Sequence, residues 1–266
     1  MTTSRPNEGF VPSGPGTQID VDRLTAQPAS TSGADESILT NARLAGALYL
    51  VIIVAGVFSE IVRTSVIVPE DAAATAANIV DSEWLYRAAF AATLSLILCE
   101  AILTVILYYL FRPVSRTLSL LAAALRLITL PIYAGNLLMM FAALAVLSDA
   151  DYLHDVDAQQ PAALALLFLN LHNYGYAIGL TVFAVNCFVT GVLLVRARHL
   201  PSALGVLLSL AGAGYLANSL LTLLVPGDQA SLTPVLLAPA FVAEVWFCLL
   251  LLRSPGRGDG SFGPAG

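Results

Sequence analysis

Lysine is absent from this chain of 266 residues, and charge of either sign is scarce, with arginines and acids together only 11% of the sequence. A soluble domain carries roughly 25% charged residues, so the chain has too little polar surface to clothe a water-facing globule. No basic patch with interleaved aromatics occurs, which removes nucleic acid from the expected partners. Cysteine is confined to Cys99, Cys187 and Cys248, far apart and each inside an apolar run. That spacing excludes a disulfide framework and a C-x-x-C zinc pattern. Of the three histidines only His172 falls within an apolar run, too few for bis-histidine haem or a three-histidine metal site. An HExxH motif, a glycine-rich phosphate loop and a Ser–His–Asp arrangement are also missing. No metal or cofactor is therefore expected. Catalysis ranks last among the functional classes, with a haem on one axial histidine left to a visible spectrum.

What the chain has instead is long apolar runs. Six are found, at about 42–62, 84–111, 117–148, 162–195, 202–225 and 232–252, each long enough for the roughly 20 residues that cross a bilayer core. In lipid every backbone N–H and C=O needs an internal partner, so spans are helices or barrel strands. Runs of this length without period-2 alternation are helices. The expectation is an all-α integral membrane bundle of six transmembrane helices over 41–253, with disordered tails at 1–40 and 254–266. The first thirty-seven residues have no apolar core, so the first run reads as an uncleaved signal anchor. Pro131 is a physical cause for a kink in the third span.

Arginine placement sets orientation. Arg43, Arg112, Arg116, Arg196, Arg198, Arg253 and Arg257 fall on one side, against Arg63 and Arg87 with most of the acids on the other. The positive-inside rule then puts both termini in the cytoplasm. Trp84 and Tyr86, with Tyr108 and Tyr109, are expected at the two interfaces of the second span. "VPEDAAATAANIVDSEW" reads as a short helix on the outer face. The loop "DADYLHDVD", Asp149 to Asp157, starts like a calcium loop but lacks its glycine and its final glutamate, and reads as a solvated acidic cap.

Polar residues inside the spans are the candidate site. On the fourth span His172, Gly175, Tyr176, Gly179, Asn186 and Thr190 share one face. The third carries Arg126, Thr129, Tyr133, Asn136 and Met140, and the second Thr93, Glu100 and Thr104, while the sixth offers Glu244 alone. An ionised side chain at a helix centre costs about 2.5–3.5 kcal/mol, so Glu100, Arg126, His172 and Glu244 should converge, with Tyr133, Asn136, Tyr176 and Asn186 around them. Arg126 pairs with Glu100 or Glu244. The other acid holds its proton or shares one with His172. Gly175-x-x-x-Gly179 should admit another helix closely, and Gly205, Ser209 and Gly212 on the fifth span form a small-residue packing face.

"ARLAGALYL", "VPEDAAATAANI", "FRPVSRTLSLLAAALRL", "LFLNLHNYGYAIGL" and "LPSALGVLLSLAGAGYL", in this order, resemble a bacterial multi-pass membrane family known as domain of unknown function 4386. The resemblance runs from about residue 42 to 252. It implies a protein of the bacterial cytoplasmic membrane and brings no activity, cofactor or catalytic residue. Glu70 stands where the resemblance leads one to expect glycine.

Three functions stay open. The first is a transporter-like protein handling a proton or small polar ligand at the buried cluster. The second is a structural or accessory membrane protein whose polar core fixes helix packing, with the fifth helix binding a partner or another copy. A membrane enzyme or single-histidine haem protein is the third. The lipid bilayer is the partner common to all three.

Overall fold

The computed structural model describes residues 41–148, 159–197, 200–225 and 232–254. The expected tail at 1–40, the other tail beyond Ser254 and the acidic loop Asp149–Asp157 lie outside the described residues. Seven α-helices make up almost all of what is described: α1 (Ala42–Val66), α2 (Ala72–Asp81), α3 (Glu83–Phe111), α4 (Arg116–Leu147), α5 (Gln159–Arg196), α6 (Ser202–Leu224) and α7 (Thr233–Arg253). All but α2 are long and apolar enough to cross a membrane. Exposed leucines, valines and isoleucines such as Val54, Leu98, Leu138, Val206 and Val235 lie along these six. In water such a surface would drive aggregation, whereas in a bilayer it is the solvated face. The chain is a multi-pass, all-α membrane protein.

Local chemistry sets the helix starts. The Asn41 side chain accepts from the backbone N–H of Arg43 and Leu44, at 3.1 and 3.2 Å, capping α1. Asp71 caps α2 by accepting from Ala74 N–H at 2.8 Å, and Ser115 caps α4. Each cap satisfies donors that the first helical turn leaves unpaired. α4 runs unbroken through Pro131.

Six spans crossing in alternation place Arg43, Arg112, Arg116, Arg196 and Arg253 at one end, called here the basic end. The other, acidic end carries α2, with Glu70, Asp71 and Asp81 around it. Each span packs on its sequence neighbours and α1 closes on α7, so the six form a ring. Two cores fill it. The basic-end core unites Tyr49, Leu103, Phe111, Leu194, Leu204 and Phe247 from α1, α3, α5, α6 and α7. The acidic-end core unites Val66, Ile79, Tyr86, Leu137, Met140 and Leu169, and takes no buried residue from α6 or α7.

Three expectations change here. Tyr86 is not an interfacial residue: it is 1% exposed and its hydroxyl donates to Met140 C=O at 3.0 Å. Burying the ring in the acidic-end core and satisfying its O–H on α4 serves better than the interface, while Trp84 stays exposed. The small-residue face of α6 is not open to a partner, because α5 occupies it. A Cβ on Gly205 would lie 2.5 Å from Gly191 C=O, and one on Gly212 would lie 2.9 Å from Ala184 C=O. Gly175 and Gly179 admit side chains rather than a backbone: the Asn136 amide sits over the first and the Tyr133 ring over the second. The glycines form sockets for polar and aromatic groups of α4.

Glu70 has φ of +62°, the only positive-φ non-glycine residue among those described. This left-handed conformation costs an L-residue roughly 1–2 kcal/mol, which gives a physical reason for glycine at this turn. Glu70→Gly is expected to raise stability by about 1 kcal/mol, since part of the relief is returned as unfolded-chain entropy. Thermal unfolding in detergent would check it.

Candidate functional site

Glu100 on α3 and Arg126 on α4 meet inside the ring, with Arg126 Nε donating to Glu100 Oε1 at 2.5 Å. Both are buried, at 6–7% exposure. The guanidinium also lies 5.8 Å from the Tyr49 ring centre and 5.5 Å from that of Phe183. A cation packed against two rings and paired with a carboxylate is held by ring contact and by a charge-assisted hydrogen bond.

Glu244, the second carboxylate, has a different setting. Its Oε1 accepts from the Tyr215 hydroxyl of α6 at 2.8 Å, and the residue is only half-buried. The charged and titratable groups within electrostatic reach of it are Arg126 and Tyr133 of α4, Glu100 of α3, Tyr49 of α1, Tyr176 and Cys187 of α5, and Tyr215. Arg126 is already engaged by Glu100, so Glu244 has no cation of its own among the described residues.

His172 does not join these groups. Its Nδ1 lies 3.2 Å from Asn136 C=O, while Asn136 Nδ2 donates to His172 C=O at 3.0 Å. The reason is axial: Asn136 is ten residues beyond Arg126 on α4, about 15 Å at 1.5 Å per residue. His172 and Asn136 therefore clip α4 to α5 one level nearer the acidic end. Beyond them Arg63 binds Asn173 through Nη1 at 2.8 Å and holds Glu60 with Nε and Nη2. Asn173, which ties Arg63 to α5, carried no signal apart from its place in "LNLHNYGYAIGL".

Tyr133 and Tyr176 stack at 5.4 Å between centroids, nearly parallel at 16°. Tyr176 is 46% exposed rather than packed inside. Asn186 donates to Ala122 C=O at 2.7 Å and is near Thr190, on the basic-end side of Arg126. There a cavity of about 20 Å³ is lined by Thr104, Tyr108, Ser119, Arg126 and Thr190. That is room for one water with polar partners, and for nothing larger.

The interior is thus layered, from Arg63/Asn173 through His172/Asn136 to Glu244/Tyr215 and Glu100/Arg126. Such an arrangement can hold or pass a proton, or seat a small polar group at Glu244. Among the described residues no three His, Cys, Asp or Glu side chains are grouped as metal ligands.

Comparison with known proteins gives a family without an assigned chemistry. The family described as Domain of unknown function (DUF4386) matches residues 44–254. A protein of Archaeoglobus fulgidus, described as uncharacterized, is 28% identical over 127 residues, 47% of this chain. The match covers 62% of that relative's length. No solved structure matches the chain.

Proposed function

The chain belongs to the DUF4386 family, and from its interior we propose that it is a transporter-like protein handling a proton or a small polar ligand at Glu244, above the Glu100–Arg126 pair. One observation carries the reading. Among the described residues Glu100 takes the one arginine beside the two acids, and Glu244 is held by a tyrosine hydroxyl. Ionisable groups inside a membrane mark pathways and binding sites by default. The proposed setting is the bacterial cytoplasmic membrane with both termini inside. Support comes from the arginines of the basic end and from Arg43 Nε donating to Ser254 C=O at 3.0 Å, which joins the two ends of the described chain.

A structural role is the second reading, favoured by the reciprocal Asn136–His172 bonds, which fasten two helices to each other. With the small-residue face of α6 already covered by α5, a partner or second copy would dock elsewhere.

Thiol access decides between the two. In protein lacking Cys99, Cys187 and Cys248, Glu244→Cys is expected to react with a membrane-impermeant reagent from the acidic end. Ser254→Cys should react only from the cytoplasmic side. Glu244→Cys blocked from both faces in a monodisperse, folded protein would leave the structural reading.

A further inference from the structure

We propose that a cleft open to the acidic end, between α1 and the α6–α7 pair, binds a small organic cation, an amine or quaternary ammonium, seated on Glu244 against the rings of Tyr176, Tyr215 and Phe183. This rests on the reading of Glu244 as a working carboxylate and gives its ligand class.

The cleft follows from where the helices touch. At the basic end α1 meets α7 closely. A Cβ on Gly46 would lie 2.7 Å from Leu252 N, Tyr49 packs edge-on to Phe247 at 5.7 Å, and Cys248 Sγ is 3.4 Å from Gly46 C=O. Towards the acidic end this stops. α1 has no buried residue between Tyr49 and Val62, and the acidic-end core excludes α6 and α7. Side chains on inward faces are correspondingly open. Glu60 lies eleven residues from Tyr49, about 20° away around α1, and its side chain is 60% exposed. Tyr176 is within about 40° of His172, Phe183 and Cys187 around α5, all three of them buried or partly buried, yet it is 46% exposed. The lipid-facing side of α5, with Tyr174, Ile178 and Val185, is roughly opposite. Tyr176 is therefore exposed towards the inside of the ring.

The lining selects the ligand. Glu244 makes one hydrogen bond among the described residues, to Tyr215, and its other carboxylate oxygen is left for a partner. Tyr176 and Tyr133 lie within electrostatic reach of it, and Phe183 packs on Tyr215 at 5.8 Å. A carboxylate among ring faces suits a cation wrapped in carbon. Calcium or magnesium would require six or more oxygens, which a lone carboxylate and tyrosine hydroxyls do not supply. Anions are disfavoured by Glu244, and the exposed acids Glu70, Asp71 and Asp81 lie at the same end of the protein. On the basic-end side lie the Glu100–Arg126 pair and a cavity with room only for water. A cation and a proton compete for the same carboxylate, so a protonated Glu244 releases its proton to water as the cation binds.

Purified full-length protein in detergent would be titrated calorimetrically with choline, benzylamine and benzyltrimethylammonium. The controls are 3,3-dimethylbutan-1-ol, the neutral isostere of choline, and acetate. Saturable binding of at least one cation is expected, with none for either control. Tyr176→Leu should weaken it at least tenfold, Tyr176→Phe less than threefold, and Glu244→Gln should abolish it. Tyr176 is half-exposed, so its variants fold independently of any strain at Glu244. No saturable binding of any of the three cations would overturn the proposal, as would equal binding of the neutral isostere, or a co-purifying lipid filling the cleft in their place. If Glu244→Cys is labelled while no cation binds, this inference alone fails. If it is unlabelled, the underlying reading fails with it.

Discussion

Arg126→Ala is expected to cost about 3–5 kcal/mol of stability, the largest loss of any single change to the polar interior. Removing the guanidinium leaves Glu100 buried and unpaired among Leu103, Thr104 and the rings around it, and breaking one half of a buried pair costs that much because the remaining charge is uncompensated. The loss also includes contact with Tyr49 and Phe183, which flank the guanidinium on α1 and α5. Exchanging both partners for hydrocarbon, Glu100→Leu with Arg126→Leu, should recover most of it, since a buried ion pair replaced by well-packed apolar residues is often neutral. Thermal unfolding of the two single variants and the double in one detergent measures the coupling. A double variant no more stable than the singles would mean that the pair stabilises the bundle beyond its own mutual attraction.

Gly205→Ala tests the seam between α5 and α6 and is expected to destabilise by about 2–3 kcal/mol, at the upper end for overpacking. The added Cβ would lie 2.5 Å from Gly191 C=O and 2.8 Å from Val195 N. Both obstacles are backbone, so the helices must separate or slide and no rotamer change relieves the clash. Gly135→Ala on α4 is the control, because a Cβ there meets nothing within 4 Å. It should stabilise by up to about 1 kcal/mol through helix propensity. The same unfolding measurement checks both. A loss at Gly135 equal to that at Gly205 would mean that glycine acts through helix flexibility rather than through contact.

Much of the site was legible because burying charge in lipid is costly wherever it occurs. Glu100, Arg126 and Glu244 could be singled out from their places in apolar runs, and the shortage of arginine relative to acid could be counted. His172 was drawn into the same cluster, although ten residues of α4 separate Asn136, its partner, from Arg126. Spacing along one helix gives an axial level. Which levels of two helices coincide depends on how far the helices slide past each other. Tyr86 failed for a related reason: a tyrosine near a helix end suits an interface or a buried hydrogen bond equally well, and only Met140 C=O on the neighbouring helix decides.

The sequence by itself determined the six spans and their helical form. These follow from a local rule: an apolar run in lipid must satisfy its own backbone. Only the tertiary structure decided that Glu100 rather than Glu244 takes Arg126, that α5 covers the small-residue face of α6, and that His172 bonds Asn136 at another level. Each of these depends on the rotation, slide and tilt of whole helices. Those are set by many weak contacts summed along the seams, and no single stretch of sequence contains that sum.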